Sequence, residues 1–593
     1  MSIRNLFNLT IERPIEPVVN YATNAQREEA LHMEVQEYVT TTHIEDRIEK
    51  LLYALEDGAS GNPNTEIGIW VSGFYGSGKS SFTKYLGMAL DTDRQLAGKP
   101  FRERLAERLS PTLRQRLLTL TQRHPAAVVM LDLASEASGA MRLVHEELYR
   151  KVLQWAGFSS EARTRDLELR LMRDGKLDAF KSRAQEEAGT PWEELRDDPY
   201  FGIQVASSLA HEFYPQQFPT PDTLANTAEL QVERGLDEDV ATMLALVRKK
   251  TGYQNVIFVI DEVGQYVAPV DDRITMLQGL AEALKRQGHA ILLVTAQQTL
   301  TNDNPDAALN SAKLTKLLAR FPMQLELKSG DISHIITERL LKKNAAGTTA
   351  LYQLFDQVGQ SLQHATRLHD VSVLRLPEFS RDKFADLYPF LPQHFELMLR
   401  LLSRLATKHG GLGLRSALKL TQDMLLDRAT GTAVADFELG RLITLADFYR
   451  VLTLEIGRSL GYLTAAVDRA RQVFGADSLA AEAAAAVAVL QIIEEVVPVT
   501  FANVAALLQP DARQLRTPAQ VKQALEQLID HEKLPFALLN DQVRILSEEV
   551  KELETLRNSY LPNATERLAL EHEAIRELLP DTTRRTMLGA TAP

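Results

Sequence analysis

Gly73, Gly76, Ser77, Gly78, Lys79, Ser80 and Ser81 stand in "GFYGSGKSS", with the spacing G-x-x-x-x-G-K-S over residues 73–80. Glycines so placed let successive backbone N–H groups turn toward one anion. A helix starting just after them adds its partial positive charge. Lys79 is then within reach of the β- and γ-phosphates of a nucleoside triphosphate, and the Ser80 hydroxyl suits Mg²⁺. The apolar run Ile67–Ser72 reads as a strand before the glycines, and Ser81–Leu90 as a helix after them. That context separates a phosphate-binding loop from a chance glycine turn before a buried helix. ATP with Mg²⁺ is the expected ligand pair.

A second set of reactive side chains, Asp261 and Glu262, closes "NVIFVIDE". The unbroken apolar run is that of a central parallel strand covered on both faces. Asp261 is expected to share Mg²⁺ with Ser80, and Glu262 to orient and activate the attacking water. A strand that merely ends in two solvated acids is the alternative, and the phosphate-binding loop argues against it. A third apolar strand, Ala290–Ala296, ends at Thr295 and Gln297. Either could sense the γ-phosphate, as the corresponding strand does in the AAA+ ATPases that this pattern resembles; strand-end polar residues also serve as helix caps. With "AAVVMLDLA" (Ala126–Ala134) as a further strand, the alternation of strands and helices gives a doubly wound parallel sheet with its ligand at the strand C-termini.

Four arginines are weighed for roles in trans or from a lid. Arg320, in "LLARFPMQLEL", ends a helical stretch before another apolar strand, where AAA+ proteins often place an arginine finger for the neighbouring subunit. A helix C-terminal cation is the other reading. Arg339 and Arg273 are weaker candidates for the finger. Arg415, in "HGGLGLRSALKL", resembles a sensor arginine of the lid, or is an ordinary surface arginine.

Composition narrows the classes. The absence of cysteine excludes disulfides, thiolate zinc sites and a catalytic thiol. A net charge of −13 argues against a surface coated for nucleic acid. The arginine-rich stretch 102–123 could touch phosphates, but its leucine spacing fits an amphipathic surface helix. His364 and His369 form no ligand cluster. No run approaches the ~20 apolar residues of a membrane span, and "MSIRNLFNLTIERPIEP" lacks an apolar signal core. A cytoplasmic protein without membrane contact is expected.

The whole reads as an α/β AAA+-like P-loop ATPase core with a helical insertion, a helical lid and a C-terminal winged-helix-like domain. Residues 1–45 are expected to pack on the core and 46–345 to form it, with the insertion at about 135–250. Residues 346–478 are read as lid, 479–548 as the winged-helix-like domain and 549–593 as a helical tail. Residues 484–547 hold five Lys/Arg against seven Asp/Glu, so the cations of a DNA reader are missing there. The wing is therefore read as a protein-docking or lid-bracing element, and DNA contact by this chain as weak or indirect.

In combination, "IERPIEPVV", "EVQEYVTTTHIEDRIEKLL", "GFYGSGKSSFTKYLG", "VIFVIDEVGQYV", "YPFLPQHFELMLRLLSRL" and "GLGLRS" resemble the BrxC/PglY family. These are large P-loop ATPases of BREX and phage-growth-limitation defence, and the resemblance runs through nearly the whole chain. Members are usually longer, so the chain reads as an N-terminal half or a short relative. The resemblance implies an ATP-hydrolysing regulatory or remodelling component that works with a methyltransferase and other BREX proteins. The candidate trans arginine adds an ATP-dependent homo-oligomer. A DNA-loading, initiator-like ATPase and a nucleotide-gated signalling ATPase are the alternatives.

Overall fold

Strand β3 (Asn255–Asp261) shows why this sequence builds a layered sheet. Val256, Phe258 and Ile260 are buried on one face, Ile257 and Val259 on the other, so both faces of the strand must be covered. The computed structural model describes residues 1–15, 25–59, 67–73, 78–133, 143–227, 235–267, 270–297, 317–371, 378–409, 417–427, 431–559, 564–578, 586–587 and 590–591. Gly76, Ser77 and Arg415 lie outside the described residues, and of Gln297 only the backbone is described.

The other strands of the sheet are β1 (Gly68–Gly73), β2 (Ala126–Asp132), β4 (Ala290–Gln297) and β5 (Met323–Leu327). All five run parallel, in the order β2-β3-β4-β1-β5. Helices α1 (Thr42–Ala59) and α2 (Lys79–Leu90) cover one face, together with residues 101–123. Helices α3 (Val144–Ala156), α4 (Leu236–Thr251) and α5 (Asp271–Gln287) cover the other. Charge at the ends matches the helix dipole. Helix α4 opens on Asp237, Glu238 and Asp239, closes on Arg248, Lys249 and Lys250, and stops at Gly252 with φ +78°.

The expected insertion divides in two. Its ends, α3 and α4, lie on the sheet, while helices Ala162–Arg173, Leu177–Ala188 and Phe201–Phe213 close around a separate core of Leu167, Leu171, Phe180, Trp192 and Leu209. Residues 1–13 run along later segments of the chain: Ile3 N–H donates to Phe437 O (2.9 Å), and Gln422 Nε2 donates to Ile11 O (2.7 Å).

By internal contacts the chain forms two units, residues 1–363, 374–443 and 511–513 in one, and 364–373, 444–510 and 514–593 in the other. The segment read as lid is thus shared between them, parting at 443/444. In the second unit, helices Leu479–Ile492, Phe501–Leu507 and Pro518–Asp530 are followed by a hairpin, Phe536–Leu539 with Gln542–Ile545. The two-residue loop Asn540–Asp541 has both φ positive (+51° and +61°), as a primed turn requires. Gln491 pins the hairpin to the first helix, donating to Ile545 O (3.0 Å) and accepting from Ile545 N–H (2.8 Å).

Two glycines test the packing. A Cβ on Gly68 would sit 2.2 Å from Arg320 O, a backbone atom, whereas one on Gly87 would meet the flexible end of Met130 at 2.5 Å. Gly68→Ala should therefore cost about 1–3 kcal/mol in urea unfolding, the range for an overpacked core, while Gly87→Ala should cost clearly less. Equal midpoints for the two variants would contradict this packing of β1 against the entry to β5.

Candidate nucleotide site

The register aligns the strand ends. Asp132 of β2 lies opposite Asp261 of β3, and Gly73 of β1 opposite Gln297 of β4. Because β4 sits between β1 and β3, the end of the P-loop strand and the acidic end of β3 flank one polar strand terminus. Gly78 adopts φ +84°, the left-handed region open to glycine, and α2 begins at the next residue, Lys79. Lys79 is buried, at 4% exposure, with Asp261 at 3% and Thr295 at 0%. Ser80 and Ser81, in the first turn of α2, are half-buried.

Thr295 ties the acidic pair together. Its hydroxyl donates to Asp261 Oδ1 and accepts from the backbone N–H of Glu262 at 2.8 Å. The same N–H also lies 3.1 Å from Asp261 Oδ1. Glu262 itself has φ +59°. For a side chain with a Cβ this costs on the order of 1–3 kcal/mol and persists only where the surroundings enforce it. The Thr295 bond is one such enforcement.

Electrostatics set the protonation tendencies. Burial draws the Lys79 ammonium below the usual lysine range, and the carboxylates of Glu262 and Asp261 push it back up. Burial raises the Glu262 carboxyl to about 7; Lys79 pulls it down, and Asp261 and Asp132 push it further up. Glu262 Oε2 is a buried oxygen with no hydrogen-bond partner among the described residues. An orphaned buried carboxylate oxygen beside a buried lysine fits a site completed by a polar ligand. Ser80 and Asp261 are the oxygen donors present for a hard cation such as Mg²⁺.

Lys79, Asp261, Glu262 and Thr295 are thus brought together by bond or by charge, with Gly73, Gly78, Ser80 and Ser81 on the elements that carry them. Asp132 belongs with them and was missed by sequence reasoning. Its signal was the same as that of Asp261, an apolar strand ending in an acid.

Arg320 is elsewhere. Its carbonyl abuts Gly68 at the start of β1, the far edge of the sheet from Gly73, about 16 Å away at the usual rise of a parallel strand. Its Nη2 pairs with Glu282 of α5 at 2.9 Å, both side chains partly exposed. Arg273 stacks on Tyr266 at 3.9 Å, and Arg339 pairs with Glu37 at 3.0 Å. His364 and His369 join no metal-binding group, and the described residues contain none.

A parallel sheet whose loop edge sets a buried lysine beside an aspartate–glutamate pair is consistent with an α/β, P-loop-like core. Residues 333–481, beginning just after β5, match the family model for the BREX System ATPase PglY protein 2nd domain. This match bears out the resemblance to the PglY/BrxC family of BREX over that part of the chain. Among the described residues no helix is long and apolar enough to cross a membrane.

Thr295→Val keeps the shape of the side chain but removes both bonds, leaving the Glu262 N–H one acceptor fewer. It should cost about 1–3 kcal/mol in chemical denaturation, the penalty for unsatisfied buried polar groups, and Thr295→Ser should recover most of it. Equal stability of all three proteins would contradict the tie.

Proposed function

We propose that this chain binds ATP with Mg²⁺ at the C-terminal edge of its sheet and hydrolyses it, as an AAA+-like regulatory or remodelling component of a BREX-type phage-defence complex. The observation that carries the reading is the meeting of Lys79 with Asp261 and Glu262, the last in a strained backbone with an orphaned oxygen.

In this reading the glycines of residues 73–78 bring backbone N–H groups to the phosphates, and Lys79 binds the β- and γ-phosphates. Ser80 and Asp261 would hold Mg²⁺, which would supply positive charge beside the phosphate oxygens. Glu262 orients a water and accepts its proton as that water attacks the γ-phosphate. Thr295 holds the two acids in place while Gln297, at the end of the same strand, takes up the sensing role. Arg320 cannot serve its own subunit, because it stands at the opposite edge of the sheet; it acts on a neighbour's γ-phosphate within an ATP-dependent homo-oligomer. Its pair with Glu282 is partly exposed and worth at most about 1 kcal/mol, so exchanging it for a phosphate contact is cheap. Arg415 belongs to this reading as a lid arginine.

Residues 479–548 act as a winged-helix-like docking element. The helix–helix–helix–hairpin order supports this, and the acidic balance of residues 484–547 favours a protein surface over DNA. A methyltransferase and other BREX proteins are the partners, in the cytoplasm.

Two substitutions test the site together. Lys79→Ala should abolish ATP binding, measured with a fluorescent analogue, while leaving the fold intact. Glu262→Gln should retain binding yet slow phosphate release roughly a hundredfold or more, the usual worth of a positioned general base. Ordinary ATP affinity in a folded Lys79→Ala protein would sink the reading, and near-normal turnover in Glu262→Gln would move the base elsewhere. In the wild type, hydrolysis per subunit should rise with protein concentration and stay flat in Arg320→Ala. A flat wild-type profile would leave Arg320 as the counterion of Glu282 alone.

A further inference from the structure

Tyr200 and Phe201 are 83% and 52% exposed, side by side at the head of helix Phe201–Phe213. Two adjacent aromatics left in water are unusual on a monomer surface, and they are the residue types that dominate contact energies. Their backbone is fixed. Asp198 Oδ1 accepts from Tyr200 N–H (2.8 Å) and from Phe201 N–H (2.7 Å). A Cβ on the next residue, Gly202, would collide with Leu195 O. Beneath the same turn Trp192 is buried, its Nε1–H donating to Glu168 at 2.7 Å. The rings therefore stand on a rigid support and lose little freedom if something covers them. Around them residues 193–198 carry four acids against one arginine, and Glu194 is exposed.

The complement lies on the same unit, among the segments that cover the sheet together with α1 and α2. Residues 91–123 hold eight Lys/Arg against four Asp/Glu in a chain of net −13. Four of these arginines are ordered by main-chain carbonyls. Arg102 donates to Thr92 O (3.0 Å), Arg104 to Ala97 O (2.9 Å), Arg108 to Tyr38 O (3.2 Å) and Arg114 to Ala106 O (2.8 Å). A carbonyl orients a guanidinium without neutralising it, so each keeps its charge and a planar face able to stack on an aromatic ring.

We propose that these surfaces are the two halves of one head-to-tail contact between copies of this chain, the Tyr200–Phe201 knob and its acidic rim seating on the guanidinium plate of the next copy. Knob and plate are different patches of one unit, the knob on the small helical core and the plate on the covering of the sheet, so each seats on its counterpart in another copy. The contact is heterologous and propagates into a ring or an open chain. A phosphodiester backbone would also suit the plate, but the acidic knob would repel it; the self-complementary pairing uses both features.

The contact needs no nucleotide, so the test is run without ATP, and its failure leaves the ATPase reading untouched. Sedimentation of the wild type from nanomolar to high micromolar concentration should show association that weakens with added salt. Tyr200→Ser/Phe201→Ser should raise the dissociation constant at least about tenfold, as the loss of a central aromatic pair does, and so should Arg108→Glu/Arg114→Glu. Mixed in equal amounts, the two variants retain one intact knob and one intact plate between them, and should form two-copy species and nothing larger. Where the plate variant loses its cooperative melting transition, Arg108→Gln replaces it in the mixture. A wild type that stays monomeric, a knob variant that associates as the wild type does, or a mixture equal to the sum of its parts would each overturn the proposal.

Discussion

The hydroxyl of Thr295 joins two strands at the point where their chemistry meets. Parallel pairing brings β3 and β4 to a common edge, but pairing alone would leave Glu262 to relax toward ordinary backbone angles. By accepting from the Glu262 N–H and donating to Asp261, Thr295 fixes one acid by its backbone and the other by its side chain. The rest of the site follows from that tie. The Glu262 carboxylate is kept in a buried place beside Lys79, where burial and its neighbours Asp261 and Asp132 raise its affinity for a proton. A site poised in this way has its strain installed before any ligand arrives, which is the condition for electrostatic pre-organisation.

Much of this was legible in the sequence because strand burial is a strong signal. "NVIFVIDE" and "AAVVMLDLA" are apolar up to their acids, since both of their faces are covered, and Gly78 beside Lys79 marks the start of α2. What could not be read was conformational or pairwise. Nothing in the letters marks Glu262 as left-handed, or says that the Thr295 hydroxyl is taken up by the acids. Asp132 went unnoticed because a single acid at a strand end is common and becomes informative only when the register sets it opposite Asp261. The limits of the insertion are hard to read for a different reason. Helices α3 and α4 bury their apolar stripes on the sheet, whereas Ala162–Arg173 and Leu177–Ala188 bury theirs on one another, and a stripe of leucines looks the same in both cases. The charged appearance of residues 161–189 concealed Leu167, Leu171, Phe180 and Ala184, which suffice to build a small core.

The two edges of the sheet have distinct electrostatic characters. The C-terminal edge concentrates Asp132, Asp261, Glu262 and Lys79 in a place with little water, where each charge feels the others strongly. At the N-terminal edge, Arg320 and Glu282 face solvent, and their attraction is screened. Coupling is thus tight at one edge of the sheet and loose at the other.

The backbone bond from Ile3 to Phe437, and that from Gln422 to Ile11 and Arg13, carry a consequence for synthesis. Residues 3–11 find these partners only after more than three hundred others have been made, Leu6 O accepting from Asn344 N–H and Ile3 N–H donating to Phe437 O. At roughly 5–20 residues per second, Ile3 and Leu6 stay without these partners for on the order of half a minute. The sheet from β1 to β5 can assemble in that interval, so the nascent chain is asymmetric in time. Its sheet is complete while residues 3–11 still wait for company, and a holding chaperone would find its target there.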